Sequence, residues 1–143
     1  GTDILVPECA EMGIDRHSLP NQTVEGAALQ LHELIRKTGI ESRYKLTWDE
    51  RPTPAPTSYI TPPDSKLVRT VAKNLEEFSG RKVRYVVETS VADTNHIAVH
   101  GGVPTIILGP DGGNTCEANE YVEIASLPVV TRTIVRSVLD LLS

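Results

Sequence analysis

The densest run of chemistry-bearing side chains lies between Thr89 and Val122: T-S-V-A-D-T-N-H-I-A-V-H-G-G-V-P-T-I-I-L-G-P-D-G-G-N-T-C-E-A-N-E-Y-V. Its first polar turn offers Ser90, Asp93 and Asn95. A glycine-rich loop follows, with Gly109, Gly112 and Gly113, and it meets Cys116, Glu117, Asn119 and Glu120. A thiol beside carboxylates can bind a metal or move a proton. In a parallel α/β sheet both turns would lie at the carboxyl ends of strands, where such sheets bind ligands. A surface loop held by Asx turns accounts for the same residues equally well. Cys116 taken alone reads more naturally as a buried structural thiol.

His96 and His100 are four residues apart and share one face of a helix, a spacing that can hold zinc. Their segment supplies no carboxylate partners, so packing or solvent exposure is the preferred reading. Asp15-Arg16-His17 could present a cation or an imidazole to a substrate carboxylate. Local sequence favours an exposed strand end there.

The elements that position these residues follow from periodicity. Residues 9–16 and 40–48 read as strands, the second with Tyr44, Leu46 and Trp48 alternating with Arg43, Lys45 and Thr47. Between them Val24, Ala27, Ala28, Leu31, Leu34 and Ile35 predict a helix ended by Gly39. Residues 51–63 carry Pro52, Pro54, Pro56, Pro62 and Pro63, which excludes a helix or a central strand. A second unit opens at the cap Pro63-Asp64-Ser65 with a helix bearing Leu67, Val68, Val71, Ala72, Leu75 and Phe78, closed by Gly80. Strands at 83–87 and 104–108 flank a short helix at 93–100. Ser126 caps a last helix, with Pro128 in its first turn and a buried face of Leu127, Val130, Ile134, Val138 and Leu141. The order β-α-β, then α-β-α-β-α, is that of an α/β layered fold with parallel strands. Two strands per unit make a poor sheet. Each unit therefore reads as half of something: the two units share one sheet, the chain self-associates, or upstream sequence completes both, the last being the favoured reading.

Composition narrows the function classes. The 143 residues carry a net charge of −5, with 39% hydrophobic and 23% charged residues. That is the profile of a folded chain. It argues against a nucleic-acid binder, which needs a basic face. No apolar run reaches the length of about 18 residues that a membrane helix needs. Two cysteines, Cys9 and Cys116, do not make a disulfide scaffold and suit a reducing, cytoplasmic setting. No signal peptide is visible, and a start at Gly1-Thr2-Asp3 suggests upstream sequence.

Three ordered blocks carry a family resemblance. They are V-P-E-C-A-E-M-G-I-D-R-H-S-L-P near the start, A-D-T-N-H-I with G-V-P-T-I-I-L-G-P-D in the middle, and N-E-Y-V-E-I before the last helix. Together they resemble the C-terminal part of the zinc-dependent aminoacylase, acetylornithine deacetylase, succinyl-diaminopimelate desuccinylase and glutamate carboxypeptidase superfamily. The resemblance implies residues 1–56 as the second half of an α+β lid or dimerisation domain. It implies 57–143 as the last part of an α/β catalytic domain. The implied activity is hydrolysis of an amide next to a carboxylate by zinc-activated water, with a glutamate as general base. Cobalt or manganese could replace the zinc. The implied partners are a small N-acyl amino acid or peptide substrate and a second copy of the chain, with neither nucleic acid nor membrane.

By the same resemblance Arg16, His17, Asp93, Asn95 and Gly109 would contact substrate. Cys116 stands where the family has a histidine metal ligand, and Glu120 would support that ligand from behind. His17 occupies the place of a carboxylate-gripping arginine, with Arg16 beside it. Ile4 occupies that of an asparagine, with Asp3 adjacent. The other zinc ligands and the general base lie upstream of this region in the family. The chain would then be catalytically incomplete alone. The alternative is a non-catalytic dimerisation or binding module on the same scaffold. A weaker reading is an anion site in the loop Gly109 to Asn114, which lacks a Walker lysine.

Overall fold

The computed structural model describes residues 8–40, 43–48, 57–88 and 90–143. Ile4, Asp3 and the proline-rich run up to Pro56 fall outside these residues. The described elements are α1 (Val24–Lys37), α2 (Lys66–Ser79), α3 (Thr94–Val99), β1 (Gly112–Gly113), β2 (Tyr121–Val122), a 3-10 turn (Ile124–Ser126) and α4 (Leu127–Leu142).

The helix ends lie where the capping residues put them. Thr23 Oγ1 accepts the Gly26 amide at 3.0 Å and starts α1. Glu25 in the first turn and Arg36 and Lys37 in the last complement the helix dipole. Ser65 Oγ accepts the Val68 amide at 3.3 Å and starts α2. Gly80 closes α2 at φ +67°, donating its amide to the Glu76 carbonyl. Alanine there meets a Cβ penalty in the left-handed region. Gly80→Ala is expected to cost about 1 kcal/mol, read as a lower urea midpoint.

The main packing joins α2 to α4, and its centre is polar. Asn74 is 1% exposed, Thr133 0% and Ser137 3%. Asn74 Nδ2 donates to Ser137 Oγ at 3.0 Å and to Asp140 Oδ2 at 3.1 Å, using both hydrogens of its amide. Thr133 turns its hydroxyl back onto the Val129 carbonyl at 2.8 Å. Val68 provides the buried apolar contact on α2.

This seam corrects the expected face of α4. Val130 and Leu141 are half-buried, but Leu127, Ile134 and Val138 are exposed. The helix turns by about one residue so that Ser137 and Asp140 meet Asn74. Small side chains at 133 and 137 let the backbones approach. The hydrogen bonds to a buried amide decide the rotation, because leaving that amide unpaired would cost about 1–3 kcal/mol.

The parallel sheet is also corrected among the described residues. The segments 9–16, 43–48, 83–87 and 104–108 form no ladder. The pairing present is antiparallel, Gly112 with Val122 and Gly113 with Tyr121. A strand needs a neighbouring backbone to take its N–H and C=O groups, and side chains do part of that work here. Thr61 Oγ1 accepts the Thr105 amide at 3.2 Å and donates to the Thr105 carbonyl. Glu76 Oε1 accepts the Val83 amide at 3.0 Å. The described fold is thus helical with one small two-stranded sheet. No helix among the described residues is long and apolar enough to cross a membrane.

Candidate functional site

The loop that carries Cys116 is a short hairpin resting on the start of α4. Gly112 and Gly113 pair with Val122 and Tyr121. The Glu123 amide donates to the Asp111 carbonyl at 2.8 Å. Ser126 was expected to cap α4, but its side chain makes no cap bond. Its hydroxyl instead accepts the Asp111 amide at 3.0 Å and donates to the Glu123 carbonyl at 2.7 Å. Ser126 thereby ties both ends of the hairpin to the helix start. An exposed Arg81–Asp111 ion pair at 3.7 Å adds little.

Gly112 is needed for close approach, because a Cβ there would run into the Tyr121 carbonyl oxygen. Beyond the ladder the loop bends through three left-handed residues: Asn114 at φ 56°, Cys116 at φ 61° and Asn119 at φ 62°. Asparagine tolerates this region; cysteine does so at a cost of about 1–2 kcal/mol. The Glu117 amide donates to the Asn114 carbonyl at 2.9 Å, and Asn114 Nδ2 donates to the Asn119 carbonyl at 3.3 Å. These bonds hold Cys116 at the tip of the bend. Its thiol is free and exposed, so a buried structural role does not apply.

The other candidate residues occupy two further places. Asp93 begins α3, its side chain making no cap bond, while its carbonyl accepts the His96 and Ile97 amides. Asn95 fastens the start of α3 to the chain behind it. Its Oδ1 accepts the Ala92 amide at 3.3 Å, and its Nδ2 donates to the Thr57 carbonyl at 2.8 Å. Between them the Thr94 hydroxyl is buried and has no hydrogen-bond partner among the described residues. Gly109 has open space where a Cβ would stand. Glu120 is exposed in the hairpin loop.

Arg16 and His17 lie before α1. Arg16 Nη2 donates to Gln30 Oε1 at 2.6 Å, and His17 is exposed. His32, on the polar stripe beside the apolar face of α1, reads from sequence as a surface residue, and it is exposed; its Nδ1 lies 2.8 Å from the Tyr44 hydroxyl. Sequence reasoning passed over Thr61 and Asn74. A threonine or asparagine next to an apolar stripe is the signal that could have found them.

The donor set decides what metal chemistry the described residues can support. A zinc site needs three or four ligands. No three His, Cys, Asp or Glu residues gather among the described residues. Cys116 is thus not part of a three-donor cluster among the described residues, so these residues do not fit a complete metal centre.

Comparison with curated proteins and with solved structures finds no match. Comparison with known families does, and the match takes in the hairpin, the start of α3 and the segment before α1 together. Residues 5–140 match Peptidase family M20/M25/M40, whose members are hydrolases and generally depend on a metal, commonly zinc. With nearly its whole length inside that match, the chain belongs to the peptidase family M20/M25/M40.

Proposed function

We propose that the chain forms the C-terminal part of a metal-dependent amidohydrolase of the N-acyl amino acid deacylase or carboxypeptidase type. The supporting observation is the family match across residues 5–140, which spans every candidate residue. In this reading 1–56 belong to a lid and 57–143 to the catalytic domain. Arg16 and His17 bind the substrate carboxylate, since a guanidinium and an imidazole both donate charge-assisted hydrogen bonds. Asp93 and Gly109 line the floor, while Asn95 positions the start of α3 through Thr57. Cys116 is a candidate metal donor at the hairpin tip, with Glu120 supporting it. The general base and the remaining ligands come from residues outside this chain. The substrate is a small N-acyl amino acid or peptide, and the working form is a cytoplasmic homodimer.

The test is zinc stoichiometry by elemental analysis, with and without upstream sequence from the parent protein. The expected result is zinc only when both parts are present, with N-acyl amino acid hydrolysis then detectable. Stoichiometric zinc on Cys116 in the chain alone would overturn this division of ligands. In the complete protein Cys116→His is expected to keep the metal and Cys116→Ala to lose it. Equal metal content in both variants would remove Cys116 from the ligand set.

A second reading is favoured by the thiol at 116 and the imidazole at 17. Each replaces the residue type that the family resemblance leads one to expect there. A binding or dimerisation module that has lost the chemistry would show no hydrolysis even in the complete, zinc-loaded protein.

A further inference from the structure

We propose that His96 and His100 form a two-imidazole site on α3 for a divalent transition-metal ion, copper(II) in preference to zinc(II). The two residues are one helical turn apart, so their side chains leave the same face. Their rings stack with centroids 5.6 Å apart and planes 21° from parallel. Two rings held side by side can each turn one nitrogen toward a shared ion at about 2.0–2.1 Å. No hydrogen bond to either side chain is found among the described residues, so their nitrogens keep lone pairs to give. His96 is half-buried and His100 exposed. Gly101 and Gly102 follow directly and put no side chain beside His100.

No third His, Cys, Asp or Glu completes the set among the described residues, so water fills the remaining positions. Neutral nitrogen donors with open positions suit borderline ions, and copper(II) binds such sites more tightly than nickel(II) or zinc(II). The gain comes from linkage. Once one imidazole holds the ion, the second binds it intramolecularly, at high effective concentration.

The test is titration of the full 143-residue chain with copper(II), in a Cys9→Ser, Cys116→Ser background that removes competing thiols. Paramagnetic broadening of the histidine ring protons is followed by NMR. The expected result is that His96 and His100 signals broaden together, well before those of His17 and His32. Single H96Q and H100Q variants should each weaken copper affinity about a hundredfold, the scale on which a linked second donor acts. Zinc(II) should give the same ranking of variants at weaker affinity. Simultaneous broadening of all four histidines would overturn the proposal. Unchanged affinity in H100Q would overturn it too, and that exposed position keeps the test valid if H96Q fails to fold.

Discussion

Replacing Asn74 with alanine is expected to destabilise the chain by about 2–4 kcal/mol, the sum of a lost buried hydrogen-bond pair and a cavity. Asn74 is 1% exposed and gives both amide hydrogens to α4, to Ser137 and to Asp140. Alanine leaves the buried Ser137 hydroxyl without this donor and leaves space between the helices. Urea unfolding measures the loss. Asn74→Leu fills the volume but still strands Ser137, so it should recover only part. The double variant Asn74→Leu, Ser137→Ala removes both members of the Asn74–Ser137 bond and should lie closer to wild type than the two single losses add up to, because replacing a whole polar pair can be nearly neutral. Strict additivity would mean that the two side chains do not act as a pair.

The same pair makes α2–α4 packing sensitive to acid. The Asn74 hydrogen bond holds the Asp140 carboxyl below its ordinary value against partial desolvation. The hydrogen bond and charge of Arg136, 3.0 Å away, and the charge of Lys73 act in the same direction. A carboxyl lowered in the folded state contributes stability that is fully present above its unfolded value of about 3.9. That contribution is lost as pH falls from there through the lower folded value. Asp140→Asn should therefore flatten the acid limb of the stability profile below about pH 4. A limb of unchanged slope would assign the acid sensitivity to other carboxylates.

What could be read from the sequence divides by the range of the interaction. Helix ends are local: Gly39, Ser65 and Gly80 each act within four residues, and α1 ends and α2 begins and ends where those residues predict. Strands are not local. Residues 83–87 and 104–108 have the right alternation or apolar content. Yet a ladder depends on a second backbone, and among the described residues Thr61 and Glu76 side chains stand in for it. The rotation of α4 was hidden for a related reason. Its apolar stripe, Ile134 and Val138 included, is the stronger periodic signal, but Asn74, 63 residues before its partner Ser137, selects the adjacent polar stripe. At the site, the glycine-rich run and Cys116 stood out from composition. That Asn95 is occupied with Thr57 could not be seen, since it rests on a contact 38 residues apart.

Gly112→Val is expected to disrupt the hairpin that carries Cys116, at a cost of about 2–3 kcal/mol for forcing volume into a packed position. The new Cβ would meet a backbone atom, the Tyr121 carbonyl oxygen, rather than the mobile end of a side chain. That carbonyl cannot step aside while the register Gly112 to Val122 persists. The strain must then open the pairing or shift the chain at Tyr121. Because Asp111 and Glu123 are bonded to each other and to Ser126, opening should spread to the first turn of α4 and spare the α2–α4 seam. Hydrogen exchange checks this directly: the Glu123 amide should lose protection by about thirtyfold or more, the equivalent of 2 kcal/mol, with the central α4 amides near Thr133 unchanged. Gly109→Ala is the internal control. Its Cβ enters open space, so its effect should stay within about 0.5 kcal/mol, as for an unconstrained surface position. Equal protection of Glu123 in Gly112→Val and wild type would show that the hairpin does not hold the loop. The position of Cys116, and any metal role assigned to it, would then rest on the left-handed turn from Asn114 to Asn119 alone.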